Sequence, residues 1–267
     1  MRKGLAVSTF PTGFGPIVFA GDLCDKLDVI SQLEYNGIDL FIKRPDEPGL
    51  EKVLQTVLDK GLKVATVAAV SALVDEGLSL CDQDSGVRDA LIERMKGQIK
   101  LAGELGAMVP IGMIRGSAAV GEPKKAALER LASSIGRLQE LASRENVNLV
   151  LEPVNRYETN LINSVNDAME FLDMYKLQMS LLLDTFHMNI EDASIEESIM
   201  RVNQLIGHVH LADSNRLSPG MGHLDFKSIM GALRHVKYDG FLSCEVLPLP
   251  DPLTSAIRSA DFFSRFL

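Results

Sequence analysis

The sequence predicts an α/β fold in which eight parallel strands alternate with helices and close into a (β/α)8 barrel. Eight short apolar runs recur along the chain, amphipathic helical patterns separate them, and no linker rich in Pro, Ser or Gly interrupts the alternation. Consecutive parallel strands need a crossover connection, which is usually a helix. Barrels of this kind commonly span about 250 residues as one domain. We therefore expect residues 1–267 to form a single TIM-barrel domain.

The predicted elements follow one another in a regular order. Helical patterns with apolar residues three and four apart are clearest over 88–105 and 124–144. Ser85 and Gly106 flank the first of these helices with start and stop signals, and Pro123 and Asn146 flank the second. The predicted strands are apolar runs bounded by polar or turn-forming residues, at 5–8, 37–42, 63–68, 108–113, 148–153, 180–184, 208–211 and 241–246.

An open, doubly wound sheet is the main alternative architecture. It predicts a glycine-rich phosphate-binding turn, G-x-G-x-x-G, directly after the first strand. Residues 9–16 read TFPTGFGP instead, which does not match that pattern. The closed barrel is therefore favoured, and a bound dinucleotide is not expected.

Composition and charge narrow the class of protein. With 46% hydrophobic and 24% charged residues, the chain has the composition of a globular protein with a sizeable core. The formal net charge is −9, whereas nucleic-acid binders usually present a basic face, so we expect no nucleic-acid partner. Cys24, Cys81 and Cys244 are too scattered for a disulfide framework, which favours a reducing compartment. No run approaches the roughly 18 apolar residues of a membrane span, so a cytoplasmic location is expected.

Four consecutive late strands each end in a potential metal ligand. These residues are Glu152, Asp184, His210 and Glu245. The carboxyl ends of barrel strands converge on the face that carries the active site, so the four side chains should meet. Any one of them alone is more often a helix cap or a solvent contact, but three carboxylates packed together require a positive charge between them. His208 shares the face of His210 and should lie one layer deeper, where it packs or supports the site.

The donor set predicts one divalent ion. Three carboxylates and one imidazole suit Mn2+, Mg2+ or Co2+ better than a thiolate zinc site would. The donor set alone leaves the choice among these ions open.

Features near other strand ends bear on the substrate. Arg115 after the fourth strand and Arg216 after the seventh could each pair bidentately with a carboxylate or phosphate. Packing over a neighbouring loop explains Arg115 equally well. Phe10, Phe14 and Phe19 in the first loop could cover the apolar edge of the substrate or anchor the loop.

Four segments in the second half of the chain resemble a known family in order and spacing. They are 151–158 (LEPVNRYE), 183–189 (LDTFHMN), 208–216 (HVHLADSNR) and 243–246 (SCEV). On these motifs the sequence resembles the xylose-isomerase-like family of metal-dependent sugar isomerases and epimerases. It is most similar to the ketose 3-epimerases of the tagatose and psicose type and to the 5-keto-L-gluconate epimerases. The first half matches mainly in its alternation of strands and helices.

The resemblance implies a role for each site residue. It implies that Glu152 and Glu245 are an acid/base pair that also binds the ion, and that Asp184 and His210 complete the coordination. The implied ion is Mn2+, with Mg2+, Co2+ or Zn2+ as alternatives. Residues matching Glu158, His187 and Arg216 hold oxygens at the carbonyl end of the substrate. The implied reaction is inversion of a carbon next to a ketone: one glutamate removes the proton, an enediolate stabilised by the ion forms, and the other glutamate returns a proton from the opposite face. The resemblance also implies a homo-oligomer, either a dimer or a tetramer.

Several other functions remain open at this point. An aldose–ketose or hydroxypyruvate-type isomerase, or a dehydratase, could use the same ligands on a sugar or sugar acid. A related metal-dependent endonuclease would need further ligands on earlier strands, but no histidine precedes His187. A non-catalytic sugar-binding barrel would have no need of two glutamates around one carbon.

Overall fold

A computed structural model describes residues 1–11 and 15–267 of the chain. Its strands are β1 (Arg2–Ser8), β2 (Phe19–Ala20), β3 (Gly37–Phe41), β4 (Lys63–Ala68), β5 (Val109–Ile111), β6 (Leu149–Leu151), β7 (Ser180–Asp184), β8 (Ile206–Leu211) and β9 (Phe241–Cys244). Its helices are α1 (Cys24–Gln32), α2 (Leu50–Asp59), α3 (Val70–Val74), α4 (Ser85–Leu105), α5 (Lys124–Arg144), α6 (Val165–Tyr175), α7 (Thr185–Glu191), α8 (Ile195–Val202), α9 (Phe226–His235) and α10 (Pro252–Phe266). Two 3-10 turns span Met113–Arg115 and Asn203–Leu205.

Eight of these strands form the predicted barrel. They are hydrogen-bonded in the order β4-β3-β1-β9-β8-β7-β6-β5, and every pairing is parallel. A bridge between Thr66 and Met108 joins the two ends of the sheet. At this seam Met108 N donates to Ala65 O and Val67 N donates to Met108 O, both at 2.9 Å. The eight strands therefore make a nearly closed TIM barrel, which confirms the predicted fold class.

The strand boundaries differ from the prediction mainly at the carboxyl ends. β5 stops at Ile111 because Gly112 turns the chain into a 3-10 turn, and β6 stops at Leu151, two residues before Pro153, which has no N–H to donate. The short strand β2 pairs with the carboxyl end of β1. It was missed from the sequence because a strand of two residues shows no periodicity. The shorter ladders leave the residues after each strand free to face the mouth of the barrel.

The core lies between the barrel and the surrounding helices. Outward-facing strand residues such as Leu5, Leu40 and Leu211 pack with helix residues such as Leu27 and Phe263, all fully buried. Burial of this apolar surface is the main force holding the helices on the barrel. Among the described residues, no helix is both long enough and apolar enough to span a bilayer.

Candidate active site

The four predicted ligands meet at the carboxyl ends of β6 to β9. Glu152 and Glu245 each follow the last residue of a strand, and their N–H groups still donate to the neighbouring strand, at Ile111 O (3.2 Å) and Leu211 O (3.3 Å). Asp184 and His210 face each other directly across the β7–β8 ladder. One potential ligand atom from each residue lies within 4.8 Å of those from the others, and all four residues are buried. The barrel therefore gathers four donors into one cluster.

The imidazole of His210 faces the carboxylates through Nδ1. This atom lies 3.6 Å from Glu152 Oε1, 3.6 Å from Glu245 Oε2 and 4.0 Å from Asp184 Oδ2. It is buried and has no hydrogen-bond partner among residues 1–11 and 15–267. A buried nitrogen without a partner, surrounded by carboxylate oxygens, fits a divalent cation with oxygen and imidazole ligands. The cluster is thus a possible metal site.

Arg216 supplies part of the positive charge that the carboxylates require. Its Nη1 donates to Asp184 Oδ2 at 2.7 Å, and its Nη2 makes a short hydrogen bond to Glu245 Oε2. Burial by itself lowers the pKa of Arg216, but the charges of Asp184 and Glu245 outweigh burial and raise it. Arg216 therefore balances part of the negative charge of the carboxylates, and any ion that binds would balance the rest.

The carboxylates in the cluster differ in their proton affinity. Burial raises the pKa of Glu152, and the neighbouring His210 only partly offsets this effect. Burial acts in the same direction on Asp184, but opposing effects, of which the charge of Arg216 is the largest, outweigh it and lower the pKa of Asp184. Such a separation of pKa values is a common feature of acid/base sites.

Two predicted substrate-contacting residues are joined through an asparagine. Asn155 Nδ2 donates to Glu158 Oε1 at 2.7 Å and lies 2.8 Å from His187 Nδ1. His187 Nε2 lies 3.8 Å from Asp184 Oδ2, so the pair adjoins the four-ligand cluster. Burial lowers the pKa of His187 to about 4, which leaves the ring neutral near neutral pH. Asn155 lies inside the motif at 151–158 but was not singled out from the sequence.

A family model for the xylose isomerase-like TIM barrel matches residues 27–265. The chain belongs to this family.

Several relatives of the chain are named epimerases. The ketose 3-epimerase of Arthrobacter globiformis is 29% identical over 232 residues, covering 81% of this chain and 80% of that protein. The L-ribulose 3-epimerase of Mesorhizobium japonicum is 32% identical over 206 residues, covering 75% and 67%. A solved D-allulose 3-epimerase from Methylomonas sp., in complex with D-allulose, has a TM-score of 0.83 with 21% identity, and the match covers 100% of this chain and 97% of that one. Like these relatives, this xylose isomerase-like protein is an enzyme of the isomerase class.

A second polar cluster lies beneath the ligands, where His208 was expected, but its partners Asp39 and Thr66 were missed from the sequence. Asp39 Oδ2 accepts a hydrogen bond from His208 Nε2 at 2.9 Å and lies 3.3 Å from His210 Nε2, while Asp39 Oδ1 accepts from Thr66 Oγ1 at 2.9 Å. All four residues are buried. One feature of the sequence could have revealed this cluster. Asp39 is an acidic residue inside the apolar strand β3, and a buried acidic residue is rare unless its charge has a partner. A carboxylate behind an imidazole fixes the ring's orientation, which is how metal-binding histidines are commonly supported.

Arg115 follows β5, in the 3-10 turn Met113–Arg115, and its side chain is fully buried. Of the three phenylalanines in the first loop, Phe10 and Phe19 are buried, and Phe14 lies outside the described residues.

An apolar wall lies beside the carboxylates. A cleft next to Glu152, His210 and Glu245 is lined by Phe41, Val70 and Met113 and by smaller residues, among them Ala68 and Gly112. A Cβ atom at Gly112 would collide with Glu152 Oε2, so any larger residue here would displace that carboxylate. Such a wall suits the C–H face of a small polyhydroxy substrate.

Proposed function

We propose that this enzyme is a metal-dependent epimerase that inverts a carbon next to the ketone of a keto-sugar or keto-sugar acid. The observation that carries the proposal is the meeting of Glu152 and Glu245 with Asp184 and His210 at one mouth of the barrel. The names of the relatives, ketose 3-epimerase and L-ribulose 3-epimerase, support the same reaction type. We also propose that residues 1–267 act as one domain and that the enzyme is a homo-oligomer, to be tested by light scattering in solution.

Glu152, Asp184, His210 and Glu245 would hold the divalent ion, with Mn2+ as the first candidate and Mg2+, Co2+ or Zn2+ as alternatives. When bound, the ion supplies Lewis-acid stabilisation of the negative charge that develops on the ketone oxygen. The remaining chemistry falls to the side chains of the protein.

The two glutamates divide the proton transfer. One carboxylate takes the proton from the carbon next to the ketone, which gives an enediolate, and the other returns a proton from the opposite face. Glu152 is suited to hold a proton because burial raises its pKa. The neutral ring of His187, together with Glu158 and Arg216, would hold substrate oxygens around the reacting carbon. Arg115 would contact a more distant part of the substrate.

The test replaces each glutamate separately by glutamine. A positioned acid or base typically contributes about 10²- to 10⁴-fold to the rate, so Glu152→Gln and Glu245→Gln should each lose at least about 100-fold in kcat. Glu140→Gln, on the exposed face of α5, is the matched control and should keep wild-type activity. The assay follows deuterium uptake from D2O and the stereochemistry of the product by NMR. If either active-site variant keeps most of its activity, the two-base scheme is wrong.

The same NMR experiment separates the competing functions. An epimerase gains deuterium at the carbon whose configuration inverts, an aldose–ketose isomerase gains it at the former carbonyl carbon, and a dehydratase product lacks a hydroxyl group. A non-catalytic sugar-binding protein gives no exchange. Chelation should abolish exchange and Mn2+ should restore it, whereas full activity after rigorous chelation would contradict the metal requirement.

A further inference from the structure

The loop that joins β8 to α9, residues 212–225, is organised around one buried carboxylate. Asp213 is 0% exposed, and its oxygens accept hydrogen bonds from the backbone N–H groups of Ser214 at 2.7 Å, Gly220 at 2.8 Å and Leu224 at 3.1 Å. Burial raises the pKa of Asp213, but the backbone N–H groups of the loop outweigh burial and lower it. Asp213 is therefore a charged group whose partners are the backbone of its own loop.

Two glycines allow the loop to close on this carboxylate. Gly220 has φ = +91°, a conformation that glycine adopts without strain. A Cβ atom at Gly222 would lie 2.3 Å from Asp213 Oδ1, so a larger residue there would displace the carboxylate or the loop. The returning part of the loop is fastened by His223, whose N–H donates to Ser214 Oγ at 3.1 Å.

The same loop carries Arg216 in a backbone conformation that its neighbours fix. Its φ of +62° lies in the left-handed region, which residues with a side chain seldom adopt. Arg216 N donates to Asp213 O at 2.8 Å, and Asp213 N donates to Leu217 O at 2.9 Å. On the other side, Leu247 N donates to Arg216 O at 2.8 Å. Both backbone polar groups of Arg216 are thus hydrogen-bonded, and the N–H is bonded to Asp213 itself.

This backbone directs the guanidinium of Arg216 towards two of the proposed metal ligands. Arg216 Nη1 donates to Asp184 Oδ2 at 2.7 Å, and Nη2 makes a short hydrogen bond to Glu245 Oε2. The guanidinium also lies over the ring of Phe186, 4.7 Å from its centre. Because a guanidinium binds through a rigid planar fork, a rotation of the backbone at Arg216 would break one or both of these contacts.

Packing of the apolar core does not explain the buried carboxylate. The core residues of the loop are Ala212 and Leu224, which lie at its two ends. Burying the charge of Asp213 costs free energy that an apolar side chain would not cost. The carboxylate is explained if the exact path of the loop between these ends matters, and Arg216 lies on that path.

We propose that Asp213 is a positioning residue, which acts through the backbone of this loop to hold the Arg216 guanidinium against the two carboxylates. The inference rests on the proposed function for the further role of Arg216, which is to bind substrate oxygens. Asp213 acts only through Arg216.

The experiment is a double-mutant cycle with a matched control. Asp213→Asn removes the charge and brings an amide N–H against a backbone N–H of the loop. It is compared with Arg216→Met and with the double variant. Asp225→Asn is the control, because Asp225 is exposed, lies in the same loop and caps α9, a position that asparagine fills equally well. Gly222→Ala disturbs the same carboxylate through its added Cβ and replaces Asp213→Asn in the comparison if that variant does not fold.

Mn2+ affinity, measured by calorimetry after chelation, is a readout that does not depend on catalysis. The guanidinium occupies Asp184 Oδ2 and Glu245 Oε2 and repels a divalent ion, so Arg216→Met should bind Mn2+ at least about threefold more tightly. Asp213→Asn should shift the Mn2+ affinity in the same direction, and this shift should disappear in the double variant. A loop anchor with a purely structural role would leave Mn2+ affinity unchanged or weaken it when removed.

The second readout is deuterium exchange into the D-2-ketohexoses by the Mn2+-loaded enzyme in D2O. Asp213→Asn should lose about 10- to 100-fold in kcat/KM, because a displacement of about 1 Å in a positioning contact can cost this much. The double variant should lose no more than Arg216→Met alone. Gly222→Ala should change both readouts in the same direction as Asp213→Asn, and Asp225→Asn should behave as wild type.

The outcomes separate this inference from the proposed function. If the wild type exchanges no ketohexose but the Mn2+ cycle behaves as described, the epimerase function fails and the positioning role stands. If the wild type exchanges but the effects of Asp213→Asn and Arg216→Met simply multiply, Asp213 does not act through Arg216 and the inference is overturned. Variants at Asp213 and Gly222 that melt at a lower temperature but keep wild-type Mn2+ affinity and kcat/KM would show a structural role, which would also overturn it.

Discussion

Replacing Asp39 by asparagine tests whether the buried cluster beneath the ligands controls metal binding. The carboxylate lies 3.3 Å from His210 Nε2 and accepts a hydrogen bond from His208. Asparagine keeps the size and can still accept from Thr66 Oγ1, but it removes the negative charge behind the imidazole. Carboxylates of this kind typically contribute about 10- to 100-fold to metal affinity. We expect the same loss of Mn2+ affinity in Asp39→Asn, about 1.4 to 2.8 kcal/mol.

The substitution of Asp39 by asparagine should also lower the stability of the folded protein. Leaving the buried His208 with a poorer partner costs about 1 to 3 kcal/mol, so the metal-free variant should melt at a lower temperature while remaining folded. Calorimetric titration with Mn2+ after chelation measures the affinity, and thermal unfolding measures the stability. Asp89→Asn, in an exposed ion pair with Arg137, is the control and should change neither quantity. Mn2+ affinity within about twofold of wild type in Asp39→Asn would refute the supporting role of Asp39, since the expected loss is about tenfold or more.

Two further predictions concern the same site. Burial lowers the pKa of His210, but Glu245, Asp39 and Glu152 together raise it well above its ordinary value, so a bound ion must displace a proton from the ring. Mn2+ affinity, measured by calorimetry, should therefore fall as the pH is lowered, and an affinity independent of pH would contradict this competition. Gly112→Ala should reduce kcat by at least about tenfold because the added Cβ displaces the Glu152 carboxylate. Gly136→Ala in α5 is the control, because a Cβ atom there meets nothing within 4 Å. It should leave kcat unchanged and raise the free energy of unfolding by about 0.5 to 1 kcal/mol. Equal loss of activity in Gly112→Ala and Gly136→Ala would contradict the steric argument.

The fold and the four strand-end residues were predictable because they follow from periodicity. Alternating strands and helices restrict the topology to few choices, and the carboxyl ends of a parallel barrel must meet. Glu152, Asp184, His210 and Glu245 could therefore be grouped without knowing any distance, and they do lie together. Their roles in binding and catalysis remain predictions.

Residues whose importance depends on contacts distant in sequence were harder to find. Asp39 is 169 residues from His208, and nothing in β3 itself indicates that pairing. Arg115 lies after the fourth barrel strand, as expected, but its complete burial could not be predicted from the sequence. The ion pairs of Arg216 depend on a backbone with φ = +62°, a conformation that sequence patterns seldom predict for an arginine.

The double contact of Arg216 with Asp184 and Glu245 has a consequence for how the enzyme matures. In small zinc domains the ligand residues are not held together without the ion, so folding and metal binding occur together. Here a guanidinium built into the chain serves as a resident counterion for two of the three acids. The proposed metal site can thus form before the proposed ion binds, because part of its negative charge is already balanced.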